Sequence, residues 1–135
     1  MTRRLLLALP VLFLAAAFAE ARPDDEHPAV TLVKSKVKDP TKPFALVVTI
    51  KVKAGKEADL EKTFAPCLAA TRKEPGCIAY ELNRDTEDPS TYIMFEKFRS
   101  IAALEAHLKE KHTIELLKAV PALADLKIKV YTVPE

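Results

Sequence analysis

Two of the three histidines in the chain, His107 and His112, lie on or just after a segment predicted to form a helix that opens at Ser100. An imidazole has an ordinary pKa of about 6.5, so it can accept and release a proton near neutral pH. His107 is therefore the candidate general base or proton shuttle of a chemical site. The structural alternative is a histidine buried between helix and sheet and bonded to a carbonyl group. The residue pattern leaves both interpretations open.

Metal binding by the two histidines is not predicted. His112 follows His107 by five residues, which places the side chains roughly 140° apart on one continuous helix. The i, i+4 spacing of zinc-binding histidines is absent. The two cysteines, Cys67 and Cys77, form no C-x-x-C motif. We expect free thiols rather than a disulfide, because their side chains should lie on different faces of a sheet.

A second group of candidates lies on two predicted strands that flank a polar hairpin. Glu96 is expected either to orient His107 or to pair with a lysine or an arginine, such as Arg99 or Arg72. Tyr80, on the other strand, offers a polar hydroxyl and completes the candidate catalytic set. At strand spacing, apolar side chains form either a pocket wall or plain core, and both remain open. The substrate-binding candidates are Val48, Met94, Phe98 and His112.

The elements around these residues follow from the hydrophobic pattern. A turn at Pro75-Gly76 precedes a strand over residues 77–82, a polar connection over 83–90 and a second strand over 91–98, which together predict an antiparallel hairpin. The helix after Ser100 must fold back over this hairpin, because its apolar residues recur at helical spacing. Residues 113–120 are expected to continue as another helical turn or two. The candidate site then lies between that helix and the hairpin.

The flanking segments complete a β-α-β-β-α-β order, the ferredoxin-like arrangement of an α+β fold. Residues 44–53 are predicted to form the first strand, and a helix over residues 57–73 follows, with a kink at Pro66. Residues 126–131 are predicted to form the last strand, with Leu126 facing inward. Helices on one side of such a sheet leave the other side bare. A second copy normally covers an apolar sheet face, so a homodimer is predicted. The bare face should carry Ala45, Val47, Ile93 or Phe95, and Tyr131.

The N-terminal residues predict export. Arg3 and Arg4 precede an apolar run over residues 5–19 that ends in small residues, which is typical of a signal peptide over residues 1–21 cleaved after Ala19 or Ala21. The protein would then be periplasmic or secreted; a retained anchor is the alternative, although the run is short and interrupted by proline. Residues 22–43 are interpreted as an extended linker, and residues 44–135 as one domain. A formal net charge of +2 without a basic face argues against nucleic acid as a partner.

Three segments together resemble the antibiotic biosynthesis monooxygenase (ABM) domain family, and most closely its quinol monooxygenase branch. They are KEPGCIAYEL over residues 73–82, IMFEKF over residues 93–98, and SIAALEAHL over residues 100–108 followed by His112. The resemblance covers residues 44 to about 131. It implies a dimeric α/β barrel. Catalytic members are similar in oxidising quinols, phenols or anthrones with dioxygen, without flavin, haem or metal. The haem-degrading relatives use a tryptophan, which this chain lacks.

The resemblance implies a cofactor-independent monooxygenase whose partners are a small aromatic quinol or polyphenol and O2. Without a cofactor, the substrate must become an easily oxidised anion, which requires a base, donors for the oxyanion and a dry pocket. His107, Glu96 and Tyr80 are the residues expected to supply these functions. The alternative function is an exported, non-catalytic dimer that binds a small hydrophobic molecule. A pocket too small for an aromatic ring would instead indicate a purely structural dimer.

Overall fold

A four-stranded antiparallel sheet with helices packed on one face forms the described part of the chain, residues 25–134 of a computed structural model. The predicted signal peptide lies outside these residues. The strand order is β2-β3-β1-β4, which confirms the ferredoxin-like α+β fold. The strands are β1 (Phe44–Val52), β2 (Cys77–Arg84), β3 (Thr91–Phe98) and β4 (Ala124–Thr132). The helices are α1 (Pro28–Lys36), α2 (Glu57–Thr71), α3 (Ile101–Lys109), α4 (Lys111–Ala119) and a short 3-10 helix (Val120–Ala122).

The two faces of the sheet differ as the alternating sequence predicts. On β1, every second residue from Phe44 to Val52 is buried beneath the helices, whereas the residues between them are half-buried or exposed. The register sets Val48 opposite Met94 on one side and Ile128 on the other, and it sets Glu96 opposite Tyr80. The helix-covered face therefore brings the candidate residues of three strands together.

The opposite face carries the apolar residues predicted for it. Val47 pairs with Phe95 and Ala45 pairs with Tyr131 in the strand register. Tyr131 is 48% exposed. Ala45, Val47 and Thr49 of β1 are only half-buried on this side, so the face can take a further partner.

The turn between α2 and β2 packs unusually close to helix α3. A Cβ atom at Gly76 would lie 2.4 Å from the Cβ atom of Ala103 on α3, so only glycine fits there. The backbone amide of Glu74 donates to the carbonyl of Thr71, and the amide of Cys77 donates to the carbonyl of Glu74. These contacts fix the Glu74 backbone beside α3. Helix α2 runs through Pro66 and ends at Thr71, before the predicted end at residue 73.

The helical segment after Ser100 is not continuous, in contrast to the prediction. Glu110 has a ψ angle of 141°, an extended conformation that ends α3 and begins α4. The amide of Glu110 bonds the carbonyl of His107, and the amide of Thr113 bonds the carbonyl of Glu110. The break changes the direction of the chain just before His112. His107 and His112 therefore lie on two different helices, and their predicted separation of roughly 140° on one continuous helix is wrong.

The predicted extended linker over residues 22–43 is wrong for the part that the structure describes, because α1 occupies its middle. Pro28 is at the start of α1, where its fixed φ and missing N–H favour a helix rather than break one. The Nδ1 atom of His27 accepts a hydrogen bond from the amide of Ala29 at 3.1 Å and caps the helix. Val30 and Val33, one helical turn apart, are buried in the core. The apolar stripe is short, which is why periodicity alone did not reveal it.

Polar contacts tie α1 to the rest of the domain. Lys34 forms ion pairs with Glu26 and with Glu105 of α3, the latter at 3.0 Å. The amide of Ile101 donates to the carbonyl of Pro40, just after α1. Among the described residues, no helix combines the length and apolar character needed to cross a bilayer.

Candidate functional site

A cavity of about 80 Å³ lies between the helix-covered face of the sheet and the helices. Its wall is mainly apolar, with contributions from all four strands, from α2, α3 and α4, and from the start of α1. Val48 and Met94, two of the predicted substrate-binding residues, are part of this wall. The polar or titratable side chains of the wall are His27, Tyr80, Glu96, His107 and Thr113.

His107 is held in the wall by a carboxylate that the sequence analysis did not assign. Its Nδ1 atom lies 3.0 Å and 3.1 Å from the two carboxylate oxygens of Glu74. Ser100 sets the rotation of α3 because its hydroxyl accepts the amide of Ala103 at 3.2 Å and caps the helix. With Nδ1–H donating to Glu74, Nε2 keeps its lone pair. Burial lowers the pKa of His107 more than the bond to Glu74 raises it, so the ring is neutral at pH 7.

His112 contacts the same carboxylate from α4. Its Nε2 atom lies 2.7 Å from Oε1 of Glu74. Thr113 supports the arrangement, since its hydroxyl lies 3.3 Å from Nδ1 and 3.4 Å from Nε2 of His107. We call Glu74, His107 and His112 the carboxylate–imidazole cluster. It joins a buried imidazole of the cavity wall to a second imidazole that retains 20% side-chain exposure.

Glu96 stands apart from this cluster. It lies on the helix-covered face of β3, opposite Leu46 and Tyr80, and its side chain is half-buried at the cavity. Its carboxyl group has no hydrogen bond or ion pair with any other residue of the described range 25–134. Burial without a counter-charge raises the pKa of Glu96 from 4.5 to about 8. The group is therefore a neutral carboxylic acid at pH 7.

Both predicted partnerships of Glu96 are wrong. Glu74, not Glu96, orients His107. Arg72 donates from Nε to the backbone carbonyl of Tyr80 at 2.9 Å, and Arg99 donates from Nε to that of Pro75 at 3.1 Å. Both arginines therefore bond backbone carbonyl groups in or near the turn between α2 and β2. The side chain of Glu96 faces the cavity instead.

Tyr80 is a wall residue with a buried hydroxyl. The side chain is 3% exposed, and its ring meets that of His107 edge-on, with 5.3 Å between the centroids. The hydroxyl oxygen lies 3.7 Å from Sγ of Cys67. Burial raises the pKa of Tyr80 far above its ordinary value, so the hydroxyl keeps its proton. Cys67 is buried, Cys77 is half-buried, and both are free thiols.

Two predicted substrate-binding residues lie outside the cavity wall. Phe98 is fully buried, with its ring centroid 5.1 Å from that of His107 and 6.3 Å from that of Phe44. It packs within the core against the imidazole that a substrate would meet. His112 points to Glu74 instead of the cavity, because the break at Glu110 redirects α4. Phe98 therefore packs against the ring of His107, and His112 contacts the carboxylate that holds that ring.

Sequence reasoning missed Glu74 and Thr113 as members of the site. Glu74 is 33 residues from His107, so no local spacing connects them. The Glu-Pro-Gly sequence was the one local indication. Close packing against α3 requires glycine at position 76, and this packing keeps Glu74 beside α3. Within the described residues, Glu74, His107 and His112 are also the group whose ligand atoms could hold a metal, since these atoms all lie within 4.8 Å of one another.

Comparison with known proteins agrees with the fold and motifs. The family model described as "Antibiotic biosynthesis monooxygenase" matches residues 43–118. The chain belongs to the antibiotic biosynthesis monooxygenase family. This result confirms the resemblance read from the three sequence segments and makes the protein an oxidoreductase of the monooxygenase type. Helix α1 precedes the residues that the family model matches.

Individual proteins similar to this chain come from several bacteria. The Synechocystis protein sll1783 is 30% identical over 101 residues, which cover 73% of this chain and 69% of that protein. The crystal structure of PA3566 from Pseudomonas aeruginosa superposes with a TM-score of 0.66 at 30% identity and covers 71% of this chain and 98% of that one. SO0527 from Shewanella oneidensis gives a TM-score of 0.63 at 29% identity, over 67% and 90% of the two chains.

Proposed function

We propose that this ABM protein is a cofactor-independent monooxygenase that oxidises a small quinol or polyphenol with O2. One observation carries the proposal: an apolar cavity has an imidazole in its wall, held by a carboxylate, together with a carboxylic acid that has no partner among residues 25–134. This combination supplies an acceptor for a phenolic proton and a donor for the oxygen left behind. Family membership supports oxygenation as the reaction class.

The proposed reaction begins with proton transfer from a substrate hydroxyl to Nε2 of His107. Glu74 stabilises the imidazolium that forms, because it accepts the bond from Nδ1–H. The neutral carboxyl group of Glu96 donates to the substrate oxyanion, and the hydroxyl of Tyr80 is a second donor in the same wall. The electron-rich anion then reduces O2. The substrate loses two hydrogen atoms and gains one oxygen atom, while the second oxygen leaves as water, so no external reductant is needed.

Substrate binding requires the cavity to widen. Its volume of about 80 Å³ is smaller than the roughly 150 Å³ of an apolar cavity that admits benzene. Leu126 of the edge strand β4 lines the cavity, on the predicted inward face, and is nevertheless 37% exposed. His27 and Ala29 of the α1 region form the neighbouring wall. We propose that a substrate enters between α1 and β4.

The functional unit in this proposal is a homodimer. The open sheet face carries Val47 and Phe95 side by side, with Tyr131 exposed at the β4 edge. Two copies joined by these faces would bury the apolar side chains on both. Sedimentation of the wild type should give a dimer, whereas Val47→Asp should give a monomer. A monomeric wild type would contradict this part of the proposal.

The decisive measurement is oxygen uptake by the purified protein with a menadiol-type hydroquinone in the presence of EDTA. We expect His107→Ala to reduce the rate above the enzyme-free blank by about 10²- to 10⁴-fold. Ile114→Ala, which changes a surface side chain that is 38% exposed, is the matched control and should retain the wild-type rate. An unchanged rate in folded His107→Ala would eliminate the proposed base.

The apolar wall of the cavity supports one other function, a non-catalytic dimer that binds a small hydrophobic molecule. In that case a hydroquinone or its quinone would raise the melting temperature without any oxygen uptake. A cavity that stayed at about 80 Å³ would instead indicate a purely structural dimer.

We also propose that the protein is exported. Export predicts a mature N-terminus at residue 20 or 22 in the periplasm or medium, which mass spectrometry of the native protein would detect.

A further inference from the structure

We propose that the carboxylate–imidazole cluster binds one divalent transition-metal ion, with Oε1 of Glu74, Nδ1 of His107 and Nε2 of His112 as its ligands. One ligand atom from each residue lies within 4.8 Å of the others, and the residues come from the turn between α2 and β2, from α3 and from α4. Two imidazoles and one carboxylate form a ligand set that suits Zn²⁺ and Fe²⁺. The inference stands without the proposed function.

Oε1 of Glu74 lies at nearly the distance from each imidazole nitrogen that neighbouring ligands of one ion have. With bonds of about 2.1 Å, ligands at octahedral or tetrahedral angles are roughly 3.0 to 3.4 Å apart. Oε1 of Glu74 lies 3.0 Å from Nδ1 of His107 and 2.7 Å from Nε2 of His112. An ion could therefore replace the two hydrogen bonds after small side-chain shifts. The turn at Gly76 and the break at Glu110 hold the three backbones in place.

The residues around His107 are compatible with the tautomer that it must adopt when Nδ1 binds a metal ion. When Nδ1 of His107 binds an ion, the proton of the neutral ring must move to Nε2. Thr113 can then accept that proton in a hydrogen bond, since its hydroxyl is 3.4 Å from Nε2. Such an outer hydrogen bond typically orients a metal-binding histidine. His112 is the most exposed of the three ligands and gives the ion a route from solvent.

Metal binding and base catalysis by His107 exclude each other. A coordinated ring carries its proton on Nε2, so it cannot take a proton from a substrate. The ion should therefore inhibit the oxidation, and EDTA should restore it; this single consequence rests on the proposed function. Activation by the ion would support the metal site and overturn the cofactor-independent reaction. The two proposals can thus fail separately.

The test is a titration of untagged, EDTA-treated and desalted full-length protein with Co²⁺, followed by its visible absorption, and then displacement by Zn²⁺. We expect one ion per chain and a higher melting temperature with Zn²⁺. Glu74→Gln keeps the shape of the side chain but removes the anionic ligand, and His112→Gln changes a partly exposed ring, so both should fold. Each should weaken binding by at least about 100-fold.

Glu105→Gln is the matched control, because Glu105 forms an exposed ion pair with Lys34 and is not part of the cluster. It should bind Co²⁺ like the wild type. The inference is overturned if the wild type shows no Co²⁺ absorption, or if Glu74→Gln and His112→Gln bind the ion as tightly as the wild type.

Discussion

Two glutamates beside the cavity have opposite environments. Glu74 accepts hydrogen bonds from two imidazoles, with its side chain 14% exposed. Glu96 lies at the cavity wall with no partner among the described residues, and burial raises its pKa to about 8. The difference shows that burial alone does not define the role of a carboxyl group. A paired carboxylate positions other groups, whereas an unpaired one becomes a neutral acid that can donate a proton or a hydrogen bond.

Two carboxyl groups can serve one cavity without conflict because they occupy different positions relative to it. Glu74 lies behind His107 and fixes which ring nitrogen carries the proton. Glu96 lies in the cavity wall, where its carboxyl proton can be donated to a bound molecule. Charge is thus confined to the cluster, and the wall that a substrate would contact stays neutral.

Removal of the paired carboxylate should have the largest effect. Glu74→Ala leaves the N–H groups of His107 and His112 without their acceptor, one of them buried, so we expect a loss of about 3 kcal/mol in the free energy of unfolding. Urea denaturation at pH 7 measures it. Glu105→Ala is the control, because its ion pair with Lys34 is exposed on both sides and should contribute less than about 1 kcal/mol. Equal losses in the two variants would contradict the special role of Glu74.

Replacement of the unpaired acid should stabilise the protein at alkaline pH. The folded-state pKa of Glu96 is raised, so the folded protein holds a proton that the unfolded chain releases between pH 4.5 and about 8. Wild-type stability should therefore fall with rising pH across this window. Glu96→Gln removes that dependence and should gain about 2 kcal/mol at pH 8, allowing for the partial exposure of the side chain.

Denaturant titrations of wild type and Glu96→Gln at pH 5 and pH 8 provide the measurement. The two proteins should be closest in stability at pH 5 and differ at pH 8. A constant difference at both pH values would mean that Glu96 titrates as an ordinary surface carboxyl.

The pH profile of oxygen uptake should depend on the same acid. If neutral Glu96 donates to the substrate oxyanion, the rate should fall about tenfold per pH unit above its pKa of about 8. Glu96→Gln keeps a donor that does not titrate, so its profile should lack this alkaline decline. An alkaline limb that persists in Glu96→Gln would assign the decline to another group.

The smallest effect is expected at the outer imidazole of the cluster. His112→Gln retains a group that can donate to Glu74, so folding stability should fall by about 1 kcal/mol or less. Oxygen uptake in EDTA should drop far less than in His107→Ala. Thermal denaturation and the hydroquinone assay measure the two quantities. A loss as large as that of His107→Ala would make His112 a direct participant in the reaction.

Local sequence patterns determined the fold and part of the cavity wall. The alternation along β1 identified the buried face, the Ser100 cap located the start of α3, and the Pro75-Gly76 turn separated α2 from β2. These features depend on neighbours within a few residues, so periodicity and turn chemistry are sufficient to find them. The same patterns placed His107, Tyr80 and Glu96 on elements that meet at one cavity.

Only the tertiary structure decided which side chains of the site contact one another. Glu74 meets His107 across 33 residues, and His112 joins them because an extended residue, Glu110, interrupts the helix. Helix α1 likewise forms because the core buries Val30 and Val33, although the segment reads as a linker. Sequence periodicity states which face of an element is apolar. It does not state which side chains of two elements will touch, because that depends on how the whole chain packs.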